Sequence, residues 1–191
     1  MCGRFSMTMI ARLLEEETGK KVPEDYKPSY NVAPSQNILV DNGFALAMQR
    51  WGYQPEWASK GVINAMQESL NVKPFWRGAK RCAVLADGFY EWKKTGEQKT
   101  PYRITPDALF CFAAVYDDKT NTVAIVTTEP NSLMKPIHNR MPIMLEIKDS
   151  KAWIDDAKIK QLAEKKLRAY KVSPQVNNPR NNSPEILVEI K

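Results

Sequence analysis

The stretch RCAVLADGFYEWKKTGEQKTPYRITPDALFCFAAVYDDKTNTVAIVTT, residues 81–128, decides the fold class. Apolar runs at 81–86, 88–94, 100–105, 109–116 and 122–128, rich in aromatic and β-branched residues and broken by turn formers, predict strands. Thr95-Gly96-Glu97-Gln98 reads as a hairpin loop and 117–121 as another, so an antiparallel meander is expected here. Working outward, the runs at 37–41 and 44–50 add further strands. Residues 8–17 place Met9, Ile10, Leu13 and Leu14 on one helical face, with Ser6 or Thr8 as cap. Helices return only late. A short turn is expected at 131–135 and one or two helices over 149–168, followed by an extended tail. Within 158–168, Ile159, Leu162, Ala163 and Leu167 follow helical spacing and would leave the lysines on a solvated face. The pattern predicts an α+β domain with a curled, mostly antiparallel, barrel-like sheet and flanking helices. Thirteen prolines suit fixed loops and strand edges.

With 191 residues, 43% of them apolar, the chain can bury a full core, and one domain spanning 1–191 is expected. The opening MCGRFSMTMIARLLEEE contains acidic residues and no unbroken apolar stretch, which excludes a secretory signal or a membrane span and predicts a cytoplasmic protein. Three cysteines, at 2, 82 and 111, are an odd count without disulfide spacing, and Cys82 and Cys111 lie in strand-like runs as buried thiols. One histidine and no CxxC or HxxxH spacing argue against a metal site, and no cofactor motif is present. A formal net charge of +6 favours polyanionic partners. Basic charge interleaved with tryptophans at 51, 57, 76, 92 and 153 is how proteins hold unpaired bases, and two of the five are expected at the surface. No feature specifies an oligomer, so a monomer is expected.

Cys2 is the residue with the most chemistry. If Met1 is removed, Cys2 carries both an α-amine of pKa about 7.7–8.0 and a thiol of pKa about 8.5. The amine condenses with an aldehyde to a Schiff base, and the thiolate can then close on the imine carbon to a thiazolidine, which no internal cysteine can do. Around it, Gly3 permits close backbone approach, Arg4 offers a phosphate-directed fork and Phe5 could anchor the terminus in a core. Three residues stand out as partners. Period-two alternation in DGFYEWKK, residues 87–94, puts Glu91 on the face of Phe89, where desolvation would raise its pKa toward that of an acid–base catalyst; a solvated strand face is the competing reading. His138 sits in a loop between Pro136 and Pro142 beside Arg140, a setting for a general acid or base next to a bound phosphate, or for an incidental histidine. Asn64 ends an apolar run, where a buried amide needs partners and could orient a reacting group, or form a turn.

MCGRF at the start, YNVAP at 30–34, WGYQPEW at 51–57, INA at 63–65, DGFYEWKK at 87–94, IVTT at 125–128 and IHNRMP at 137–142 together resemble the SRAP (SOS response-associated peptidase) family, nearly end to end. The resemblance implies the SRAP fold and a protein that crosslinks covalently to abasic sites in single-stranded DNA, shielding them from cleavage and error-prone bypass during replication and the SOS response. Carried over by position, it implies Cys2 as nucleophile, with Asn64, Glu91 and His138 completing the active site. Glu91 would shuttle the proton that opens the sugar, and His138 would assist at the imine. Arg4 and Arg140 look like phosphate contacts, and Asn31, Pro34, Trp57, Trp92 and Thr127 would line the DNA groove. β-Elimination from the imine would appear as lyase activity.

The chain departs from the family pattern at Met66, where an arginine usually follows the asparagine by two places, at Ala58, where a second tryptophan is common, and at Asn139-Arg140-Met141, where an acidic and double-arginine sequence is usual. Two other readings stay open: a thiol hydrolase or autopeptidase using Cys2 with His138 as base, and a non-covalent single-strand binder carried by charge and aromatics.

Overall fold

In the computed structural model, which describes residues 2–191, thirteen strands and two short α-helices enclose two main layers of core. The strands are β1 Phe5–Met7, β2 Ser29–Val32, β3 Asn37–Asp41, β4 Leu46–Trp51, β5 Asn64–Met66, β6 Lys80–Ala86, β7 Gly88–Thr95, β8 Gln98–Thr105, β9 Phe110–Asp117, β10 Thr122–Thr128, β11 Met141–Pro142, β12 Met144–Leu145 and β13 Arg168–Lys171.

Strands β10, β4, β3, β6 and β9 pair in that order, and β9 returns to β10, so the sheet closes on itself. The barrel-like, mostly antiparallel core expected from the sequence is therefore present, with one parallel seam where β4 and β5 lie along β10. Closure suits the sequence because these strands are apolar on both faces. Val84, Phe110, Phe112, Val123 and Ile125 point into the larger cluster, and alternate residues Ala83, Cys111, Ala113, Ala124 and Val126 form the other. The outward set is small, which lets Tyr53, Trp76 and Trp153 cover it closely.

A second sheet runs β13-β8-β7-β1-β2 and rests on the barrel. Here the structure corrects the expected meander. β6 and β9 pair with each other from Lys80↔Tyr116 to Ala86↔Phe110, while β7 and β8, which lie between them in sequence, form a hairpin in the other sheet. The chain changes sheets at Asp87, between β6 and β7. Its carboxylate accepts from Ser6 Oγ at 2.6 Å, from Thr8 Oγ1 at 2.6 Å and from the Thr8 backbone N–H at 2.5 Å, and it pairs with the buried Arg103 at 3.3 Å. Ser6 and Thr8 are thus spent on the sheet junction. The first helix, α1 Ala11–Thr18, begins with no side-chain cap, against the capping expected from the sequence. Gly88 is required beside this junction, because a Cβ there would meet the Arg103 guanidinium at 2.5 Å.

The expected helix over 158–168 is also absent. α2 Ser150–Asp156 closes at Ala157 in the left-handed conformation, φ 57°, and the chain then runs extended, Gln161 bridging to Leu145. The apolar spacing read as helical serves two cores: Leu162 and Leu167 enter the larger cluster and Ile159 packs on the other. A single helical face could not reach both. The residues beyond β13 fold into two 3-10 turns, Pro174–Asn177 and Pro184–Leu187, whose Val176 and Ile186 pack with Tyr90 as a third, small core. No described helix is long and apolar enough to cross a membrane.

Asp87→Ala should lower stability by about 3 kcal/mol, because it orphans a buried arginine and three further donors. Urea unfolding followed by tryptophan fluorescence checks this, and a loss under about 1 kcal/mol would show the junction to be dispensable.

Candidate active site

Strand pairing delivers the N-terminus to β7. Phe5 lies opposite Phe89 and Ser6 opposite Gly88, and the Tyr90 backbone N–H donates to Arg4 O at 2.9 Å. Phe5 locks this register from inside, edge-on to Trp51 at 5.2 Å and to Phe112 at 5.7 Å, the anchoring its place in MCGRF suggests. Beyond Arg4, Cys2 comes within electrostatic reach of Glu91. Cys2 is wholly buried, and its carbonyl accepts from Asn64 Nδ2 at 2.9 Å. Asn64 opens β5, held opposite Ile125 on β10, and the preceding Ile63 O accepts from Trp51 Nε1 at 2.9 Å. The other amide atom, Asn64 Oδ1, is buried without a hydrogen-bond partner among the described residues.

Glu91 is 3% exposed, on the face of Phe89, while Tyr90 and Trp92 turn to the third core, as period-two alternation requires. Its charge acts on Cys2. Burial, and secondly the Glu91 carboxylate, push the Cys2 thiol far above its ordinary value, a rise only partly offset by the N-terminal positive charge and then by the Arg4 backbone N–H. The thiol therefore stays protonated through neutral pH. Cys82 and Cys111 are wholly buried free thiols, also pushed up by burial.

His138 closes a turn set by Asn131, whose Oδ1 accepts from Met134 N–H at 2.9 Å and whose O accepts from Lys135 N–H at 2.9 Å. The Arg140 N–H donates to His138 Nδ1 at 3.0 Å, so a neutral imidazole here carries its proton on Nε2. Arg140 itself is engaged. Its guanidinium forks onto Glu68 at 2.9 and 3.0 Å and donates to Thr127 O at 2.8 Å. The hydrogen bond from Arg140 holds the Glu68 carboxyl below its ordinary pKa. This clamp ties the His138 loop to the 3-10 turn, Gln67–Ser69, that follows the Asn64 strand.

Glu91, Trp92, His138, Lys94, Lys99 and Asn177 line one open cleft of about 500 Å³. A larger cavity of about 740 Å³, near α1 and α2, holds none of the site residues expected from the sequence. Arg4 lies beside the cleft, 5.9 Å from the Trp92 ring centre, with Nη1 donating to Asn31 Oδ1 at 2.8 Å and to Val176 O at 2.7 Å. Asn31 is buried, its Nδ2 spread over the carbonyls of Val176, Asn178 and Asn181, so it pins the C-terminal segment as a wall of the cleft. Asn177 Oδ1 accepts from Trp92 Nε1 at 2.7 Å. Thr127 is also buried. Pro34 is exposed in the turn after β2, and Trp57, 64% exposed, stands against Phe75. Of the five tryptophans, Trp57 is exposed and Trp92 half-buried, and the other three are core.

The model of the SOS response associated peptidase (SRAP) family matches residues 1–179. The chain belongs to the SRAP family. It is 39% identical over 221 residues to the abasic site processing protein YoqW of Bacillus subtilis, covering 98% of this chain and 99% of the relative. It is 33% identical over 178 residues to the abasic site processing protein YedK of Escherichia coli, covering 81% and 79%. The fold is shared with a crystal structure of a Bacteroides thetaiotaomicron protein, TM-score 0.85 at 24% identity, over the whole of both chains. The SRAP fold expected from the sequence is thus the observed one, and Asn177, Lys94, Lys99 and Glu68 join the site's surroundings without having been singled out from the sequence.

Because the three thiols and the phenols of Tyr26 and Tyr90 are raised by burial, each stabilises the fold below its unfolded pKa and loses that contribution as pH climbs toward the folded value. The urea midpoint should be flat from about pH 6 to 8 and fall between about pH 9 and 11. Native protein at pH 8 should react with dithionitrobenzoate slowly at all three cysteines and fast only when unfolded. Rapid labelling of Cys2 in the native state would contradict the burial argument.

Proposed function

We propose that this SRAP protein, once Met1 is removed, forms a thiazolidine crosslink between Cys2 and the ring-opened sugar of an abasic site in single-stranded DNA. The observation that carries the proposal is a buried, protonated Cys2, second in the chain, flanked by the buried Glu91 and held through its carbonyl by Asn64, at a cleft that includes His138. The family and the names of its relatives as abasic site processing proteins support the substrate class.

The chemistry balances within these residues. Glu91 accepts the proton of the hemiacetal hydroxyl and returns it to the ring oxygen O4′ as the C1′–O4′ bond breaks and the ring opens to the aldehyde. The Cys2 amine, which is an unreactive amide nitrogen while Met1 is attached, adds to C1′, and the carbinolamine loses water to leave an imine. His138 Nε2–H is the donor suited to the departing hydroxyl. The thiol sulfur then bonds to C1′ while its proton passes to the imine nitrogen, directly or by way of Glu91. The orphaned Asn64 Oδ1 is an acceptor for the amine or for a sugar hydroxyl. Arg4, Trp92 and Arg140 border the reacting atoms as phosphate and base contacts, with Pro34 and Trp57 along the groove; Asn31 and Thr127 act from behind as supports. Arg140 must trade Glu68 for phosphate, an exchange of like charge for like.

A thiol hydrolase fits less well. Cysteine peptidases work as thiolates in electropositive surroundings, and here burial and Glu91 drive the thiol the other way. Ring closure onto an imine needs only a neutral thiol beside a base.

On a denaturing gel, protein verified to begin at Cys2 should give a heat-stable adduct with a single strand carrying one abasic site, and none with undamaged strand. Cys2→Ala should abolish the stable adduct, and Glu91→Gln should slow its formation by about 10²-fold or more, the usual worth of a positioned acid–base group. Absence of adduct from correctly processed wild-type protein would overturn the proposal. A stable adduct surviving Cys2→Ala would move the nucleophile elsewhere.

A further inference from the structure

On β7 and β8, Lys94 and Lys99 face each other directly across the hairpin. Like charges so opposed repel, and a strand pair normally avoids them. Several other lysines, among them Lys20, Lys80, Lys151 and Lys166, sit against a carboxylate. Lys94 and Lys99 have no ion-pair partner among the described residues, and both are exposed. They line the same cleft as Glu91 and His138. At about 3.3 Å per residue, Lys94 stands roughly 10 Å along β7 from Glu91.

We propose that Lys94 and Lys99 form a phosphate subsite that takes the backbone of the single strand on one side of the reacting sugar. The repulsion between the two ammonium groups is relieved when an anion sits between them, which favours a phosphodiester there. The sheet ladder fixes their spacing, and Trp92, two residues before Lys94 on the same face, offers a ring edge along the path of the strand. The inference rests on the single-strand reading above but concerns a different part of the surface and a different kind of contact. It implies that the strand enters the cleft along the β7–β8 hairpin with a fixed polarity.

The test is the salt dependence of equilibrium binding to a fluorescent, undamaged oligothymidylate, for wild type, Lys94→Ala/Lys99→Ala and the control Lys21→Ala/Lys119→Ala, which removes two charges outside this cleft. The cleft variant should lower the slope of log K against log salt by roughly 0.7 for each phosphate it no longer neutralises, and the control should not. Crosslinking is then followed with strands carrying the abasic site at either end. At subsaturating DNA the cleft variant should slow adduct formation for one polarity only. An unchanged slope, or equal loss in cleft and control variants, would overturn the subsite. Slowing of both polarities alike would overturn its one-sidedness. Wild-type protein that binds undamaged strand as described yet forms no adduct would contradict the thiazolidine reading and leave the subsite standing.

Discussion

The carboxylate of Asp87 holds this structure in the one arrangement that brings Cys2 to Glu91. It sits where the chain passes from the barrel into the second sheet, and it gathers Ser6, Thr8 and Arg103. Without that junction β1 would be a three-residue strand with little to hold it, since chain ends are poorly ordered unless tied down. With it, Phe5 is held among Trp51 and Phe112, and the Arg4 carbonyl is tied to β7 by the Tyr90 N–H. Cys2, three residues before Phe5, is therefore wholly buried near the start of the chain.

The burial that secures Cys2 also sets its chemistry. A thiol in an apolar core beside a carboxylate is a poor thiolate, and a peptidase would gain nothing from it. For an imine waiting next to it the same thiol is well suited, because it brings its own proton to the nitrogen it helps to saturate. Asn64 and His138 come from separate elements, yet the Glu68–Arg140 clamp ties those elements together. The site is thus a joint between three parts of the chain: the N-terminal strand, the β7 hairpin and the loop carrying His138. The C-terminal turns, pinned by Asn31, form its outer wall.

Much of this was legible in the sequence where a single local rule decides. The limits of β3 and β10 are those of the apolar runs at 37–41 and 122–128, and the alternation around Glu91 gives its buried face. Legibility failed where partners are chosen at a distance. Nothing local separates β6 from β7, so two strands of different sheets read as neighbours in a meander. Ile159, Leu162 and Leu167 match helical spacing but bury in two cores, which only the packed barrel defines. Ser6 and Thr8 look like caps until Asp87, far along the chain, claims them. In the site, the motif resemblance named Cys2, Asn64, Glu91 and His138, whereas the engagement of Arg140 by Glu68, and of Trp92 by Asn177, depends on tertiary contacts that no short motif encodes.

The central claim is a bond from one cysteine, through both its nitrogen and its sulfur, to one sugar carbon. Intact mass and peptide mapping of the purified adduct, before and after borohydride, test it most directly. The account predicts the mass of protein plus strand less one water, located on the N-terminal peptide and unchanged by borohydride, because a thiazolidine has no imine left to reduce. A gain of two hydrogens on reduction, or attachment to a lysine, would contradict it.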